Sequence, residues 1–150
     1  MSTLVSESPF FVQRFINTGA TVRGRRFVKR TALVTDGNGQ STYSIEEATD
    51  GVLAGGTDIV EGVVMGSKNE SLTPTTTRGE AVSVVNFGPC YVVAGAVMDP
   101  ATVEHLTFDN QGRATAATVA THRRVGRLIH HAPTVVGELC LVFLTLANAE

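Results

Sequence analysis

The residue types that most often carry chemistry are sparse in this chain, and their spacing argues against catalysis. The four histidines are His105, His122, His130 and His131. Adjacent residues on a strand point to opposite faces, so His130 and His131 do not converge on one ion. No Cys-x-x-Cys or His-x-x-x-His pair supplies the usual ligand spacing. Asp36-Gly37-Asn38-Gly39-Gln40 opens like a calcium loop, and Glu47 places a carboxylate at the twelfth position. The sixth position is Ser41, however, where the sharp turn needs glycine, so the segment reads as a hairpin turn. There is no Gly-x-Ser-x-Gly elbow, no phosphate-cradling glycine loop and no dinucleotide fingerprint. Cys90 and Cys140 sit inside apolar runs without a local base and read as buried thiols. The chain is expected to be no enzyme and to need no cofactor and no metal.

What remains is a basic cluster. Arg14, Arg23, Arg25, Arg26, Lys29 and Arg30 occur with no Asp or Glu between positions 8 and 35. Ten of the twelve basic residues are arginine, which favours planar, bidentate pairing with carboxylates. The cluster reads as a solvated strand face or as a surface that pairs with acids on a partner protein. Aromatic residues do not interleave it and the net charge is -2, so nucleic acid is not the expected partner. Just before it, Phe10, Phe11, Phe15 and Ile16 form an apolar patch that is costly to leave in water. That patch reads as a first strand or as a docking segment. The candidate partner-binding residues are therefore Phe10, Phe11, Arg14, Phe15, Arg23, Arg25, Arg26 and Arg30, with the N-terminal segment expected to matter more for attachment than for folding.

These side chains need a scaffold, and composition points to one kind. The chain holds 21 Val and 19 Thr among 150 residues, against ten Leu. β-branched side chains are stiff and suit a pleated surface. Fifteen Gly and five Pro punctuate the sequence. A 150-residue chain forms one domain with its own core. The expected architecture is all-β: a small barrel or sandwich of short strands with at most one or two short helical turns. Residues 1–18 are expected to be an N-terminal arm and residues 19–150 the β-rich body.

Along the body, strands are expected in 20–35, 58–65, 80–85, 90–96, 114–119, 124–131 and 139–144. A strand over 103–108 competes with a brief helix capped by Asp99-Pro100. Turns fall at Asp36-Gly37-Asn38-Gly39, Asn86-Phe87-Gly88-Pro89 and Asp109-Asn110-Gln111-Gly112. Ser44-Ile45-Glu46-Glu47 matches a capping box and predicts one helical turn ending near Gly51. The N-terminus lacks the pattern of a signal peptide, and the longest apolar run, Leu139 to Leu144, is far too short to cross a bilayer. The expectation is a chain made in the cytoplasm, with no membrane partner.

The second half has a cadence of its own. Gly79-Glu80-Ala81-Val82-Ser83-Val84 is followed by Val93-Ala94-Gly95-Ala96-Val97, then Asp109-Asn110-Gln111-Gly112-Arg113-Ala114, Val125-Gly126-Arg127 and Gly137-Glu138-Leu139-Cys140-Leu141-Val142-Phe143-Leu144. In this order the segments, over about residues 79–144, resemble the capsid decoration, or cement, proteins of tailed bacteriophages. Asp99-Pro100-Ala101-Thr102 departs from that pattern, and the basic stretch has no counterpart in it. The resemblance implies a β-rich body that binds the major capsid protein, forms a homotrimer, sits on the outer surface of the virion head and stabilises the shell by bridging neighbouring subunits, without catalysis. The alternatives are a carbohydrate- or receptor-binding β module, to which the absence of Trp and the presence of only two Tyr are unfavourable, and another phage structural part such as a tail or head-completion protein.

Overall fold

The computed structural model describes residues 11–16, 22–35, 38–39, 41–49, 59–65, 75–76, 81–118, 121–129 and 133–146. Every regular element among them is a strand: β1 (Phe11–Ile16), β2 (Val22–Arg23), β3 (Phe27–Thr35), β4 (Ser41–Glu47), β5 (Val60–Val64), β6 (Thr75–Thr76), β7 (Ala81–Val93), β8 (Leu106–Phe108), β9 (Ala114–Ala116), β10 (Gly126–Leu128) and β11 (Leu139–Leu144). The expected all-β barrel class is the observed one.

Nine strands run in the order β1-β4-β3-β5-β7-β11-β10-β8-β9, and β1 also pairs with β7. That second pairing returns the sheet on itself, so β1, β4, β3, β5 and β7 form a closed ring. All its seams are antiparallel except β1–β4, which is parallel and registers Ile16 with Ser44. Closure removes open edges, the usual hazard of a small sheet. Strands β2 and β6 form a separate two-stranded ribbon.

Strand β7 belongs to both halves of the molecule. Its first half, Ala81 to Phe87, pairs with β1, and its second half, Gly88 to Val93, pairs with β11. The turn expected at Asn86-Phe87-Gly88-Pro89 is therefore not a turn. Gly88, at a φ of 96°, and Pro89 mark the place where one neighbour is exchanged for another, which is where a strand tolerates such residues.

Alternation explains the core. Val28, Ile45, Val64 and Val84, one from each of four ring strands, pack with Val22 in one buried cluster. Their neighbours Val63 and Val85 point the other way and join a larger cluster with Phe27, Cys90, Val92, Leu106, Phe108, Cys140, Val142 and Leu144. Strand β5 is consequently buried at all five positions. Phe27 and Phe108 meet at 5.8 Å between ring centroids and tie the ring to the second half.

The capping box over Ser44–Glu47 is strand, not helix. Glu46 and Glu47 are paired with Lys29 and Val28 of β3, and cross-strand pairing overrides the local cap pattern. The helix expected at Asp99 is a single hydrogen-bonded turn, with Thr102 N and Val103 N donating to the Asp99 carbonyl at 3.0 and 2.9 Å. The strands expected over 114–119 and 124–131 are shorter, at Ala114–Ala116 and Gly126–Leu128.

Cys90 and Cys140 are free and buried. They lie on adjacent strands in diagonal register, Cys90 opposite Val142 and Cys140 opposite Val92. Burial pushes the Cys140 thiol up to about 12. The native protein should therefore leave Cys140 unreactive toward thiol reagents at pH 8–9, with reaction appearing only on denaturation. A raised folded-state value means that this contribution to stability is intact below the unfolded thiol's value near 9 and is lost as pH climbs toward 12. Thiol titration with and without denaturant, and melting curves across that pH range, check both statements.

Candidate functional site

The candidate residues from the sequence divide into three groups. Phe10 lies outside the described residues. Phe11, Arg14 and Phe15 are on β1, registered with Phe87, Ser83 and Val82 of β7. Within the expected arm, residues 11–16 are thus a strand of the closed ring; residues 1–10 and 17–18 lie outside the described residues. Arg23, Arg25, Arg26 and Arg30 are gathered near the β2–β3 turn, and each is engaged inside the chain.

Arg23 makes a bidentate pair with Glu47: Nε donates to Oε2 at 2.8 Å and Nη2 to Oε1 at 2.7 Å, while its backbone N donates to Oε2 at 2.9 Å. The hydrogen bond to Glu47 raises the Arg23 pKa, against a smaller opposing effect of burial. Arg30 pairs with Glu61 through Nε and Oε1. Arg25 is 6% exposed and sits at a φ of 60°, unusual for a residue with a Cβ. It is held there by two backbone bonds, its N donating to Val64 O and its O accepting from Val93 N, both at 2.9 Å. Arg26 is 7% exposed, and its Nη1 donates to Gln111 O at 2.9 Å. Burial, then the like charges of Arg23 and Arg113, lowers the Arg26 pKa, with Glu47 and Asp109 acting the other way.

Arg23 and Arg30 thus pair with acids of the ring strands β4 and β5, while Arg25 and Arg26 fasten the ring to the second half through Val93 and Gln111. The Asp109–Gly112 turn, foreseen from the sequence, is the other side of that fastening. Asp109 Oδ1 accepts from Gln111 N and Arg113 N at 2.9 Å each, and Oδ2 accepts from Arg113 Nε at 2.8 Å. Gly112 O then accepts from Phe27 N at 2.8 Å. A Cβ on Gly112 would stand 2.7 Å from Phe27 O, at a φ of +70°, so only glycine permits this approach. Asp109→Ala should cost about 1–3 kcal/mol by stripping the turn of its acceptor. Denaturant midpoints checked against Asp109→Asn would show partial recovery, because the amide oxygen retains one acceptor.

An outward face that sequence reasoning missed lies on the second half. Pro89 and Tyr91 of β7, Leu141 and Phe143 of β11 and Arg127 of β10 are in register on one side of the sheet, with Leu141 itself buried at 5% exposure. Phe87 adds its ring edge-on to Phe143, with centroids 5.5 Å apart. Phe87 is 44% exposed, Arg127 is exposed, and Pro89, Tyr91 and Phe143 are half-buried. Beside Arg127 opens a cleft of about 460 Å³, walled by Pro100–His105 and by Arg127 and Leu128. A separate exposed pair, Val135 and Val136, sits on a loop held by Glu138, whose Oε2 accepts from Thr134 N and Val135 N. Among the described residues no three His, Cys, Asp or Glu side chains come together as a metal site would require. Among the described residues no helix is long and apolar enough to cross a membrane.

The architecture defines a class: a small all-β body, one half a closed ring and the other an open sheet. No family model and no curated protein matches the chain. Among solved structures it is similar to the head fiber gp8.5 N base of bacteriophage phi29, with a TM-score of 0.60 and 15% sequence identity, over 93% of this chain and 99% of that one. At this identity the likeness is one of fold.

Proposed function

We propose that this chain is a structural protein of a phage head, held on the outer surface of the shell by the major capsid protein. The observation that carries the reading is the fold likeness to a head fiber base, which extends over nearly the whole of both chains. The order of segments over residues 79–144, which resembles phage decoration proteins, supports it independently. In the finer form of the proposal the protein acts as a cement: it is a homotrimer, it bridges neighbouring capsid subunits, and it catalyses nothing. Linking several weak contacts in one oligomer on a repeating lattice raises their combined affinity.

The test is to mix the purified protein with heads of the same phage that lack it. Cosedimentation and added density on the outer surface in electron microscopy are expected, with density crossing subunit boundaries and heads that melt at higher temperature. Sedimentation velocity should report three times the 15.8 kDa chain mass. Heads that acquire no density at tens of micromolar protein would overturn the reading. Density within single subunits would leave a head protein that is not a cement.

A further inference from the structure

We propose that the outward face built by Phe87, Pro89, Tyr91, Phe143 and Arg127 is the docking surface, and that its occupant is an apolar segment of the capsid protein flanked by a carboxylate. This rests on the head-protein reading above and names the residues through which it would operate.

Four of the five arginines that the sequence offers first for an acidic partner are already used. Arg23 and Arg30 hold Glu47 and Glu61, and Arg25 and Arg26 are buried. Arg127 differs: it is exposed and makes no ion pair among the described residues. Its register partner is Phe143, whose ring meets Phe87 edge-on. Aromatic side chains and arginine are enriched in interface cores, the aromatics because they bury large area for few torsions lost and arginine because its planar fork pairs with carboxylates. Here three aromatic rings and one arginine occupy a single face of one sheet.

The face is also rigid. Phe143 and Tyr91 lie on β11 and β7, which are paired over six registered positions, and their inward neighbours Cys90, Val92, Cys140 and Val142 are in the main core. Binding there costs little ordering of backbone.

Charge selects the occupant. Arg127 needs an acceptor once the surface is desolvated, since a buried unpaired charge is strongly unfavourable. A second copy meeting this face across a two-fold axis would set Arg127 against Arg127, and a heterologous contact between copies in a trimer is tested by the oligomeric mass measured below. A capsid segment with apolar side chains for the aromatic pair and an Asp or Glu for Arg127 satisfies both parts.

The full-length protein is compared with Arg127→Glu, Phe87→Ala and a control, Val135→Ser, in cosedimentation with heads that lack the protein. Arg127 and Val135 are exposed, so melting temperatures should match there, while Phe87→Ala, which loses the edge contact with Phe143, should melt within a few degrees of the unsubstituted protein. Arg127→Glu and Phe87→Ala are expected to weaken binding at least tenfold, with Val135→Ser unchanged. Raised salt should weaken the unsubstituted protein more than Arg127→Leu. Binding equal to the unsubstituted protein in both test variants overturns the inference and leaves the head-protein reading standing. Loss in Val135→Ser instead moves the contact to the other tip and also overturns it. A change of oligomeric mass in Arg127→Glu or Phe87→Ala would make this an interface between copies, again against the proposal. Failure of the unsubstituted protein to bind removes both readings together.

Discussion

Removing residues 1–16 is expected to abolish the cooperative fold. The sequence suggests a detachable docking arm here, but β1 supplies two seams of the ring: six registered positions with β7 and the parallel closure of Ile16 on Ser44. At about 1 kcal/mol of net hydrogen bonding per position, the loss is of the same order as the ~5–15 kcal/mol that separates folded from unfolded domains. The deletion would also bare the edges of β4 and β7 to intermolecular pairing. Circular dichroism melting and light scattering should show loss of a sharp transition together with aggregation. A truncated protein that melts within a few degrees of the intact chain would mean that β1 is dispensable to the ring.

Gly62→Ala is expected to be the most damaging single substitution. Gly62 has a φ of +146°, and a Cβ there would lie 2.0 Å from Val85 O and 2.8 Å from Val85 C. Both atoms are backbone of β7, so no side chain can rotate away. Gly62 pairs with Val28 on its other side, where the β3–β5 register shifts between Val28 and Lys29. The new methyl must push β5 from β7 or break that bulge, at a cost of about 3 kcal/mol or more. That corresponds to a fall of roughly 6–12 °C in Tm for a domain of this size. Gly39→Ala, at a φ of +80° but with open space around it, is the comparison: it carries the backbone strain without the collision and should lose much less.

The parts of the fold legible in the sequence are those set by local chemistry. Leu139–Leu144 is a strand with the bounds its apolar run suggests, and Asp109–Gly112 turns where an Asx side chain and a glycine coincide. What could not be read depends on residues remote in the chain. Ser44–Glu47 has a helix-start pattern, yet β3 captures it as a strand. Gly88-Pro89 looks like a turn because nothing nearby reveals that β1 hands over to β11 at that point. The arginine cluster looks unpaired because its carboxylates are distant: Glu47 is 24 residues from Arg23, and Glu61 is 31 from Arg30. The outward face was missed for the same reason. Phe87, Arg127 and Phe143 are scattered in sequence and become a surface only through the register of three strands.

Strand β7 gives the molecule a mechanical property. Thirteen residues of continuous strand backbone run from the ring into the other half of the same nine-stranded sheet. A load applied to one half reaches the other through covalent bonds and not across a loop. Much of it then acts along the strand, so the rungs joining β7 to β1 and β11 are sheared together instead of being peeled one by one. The resistance of such an arrangement is a matter of unfolding rate more than of equilibrium stability. The two halves share this strand, and neither can let go of it without the other losing its own wall.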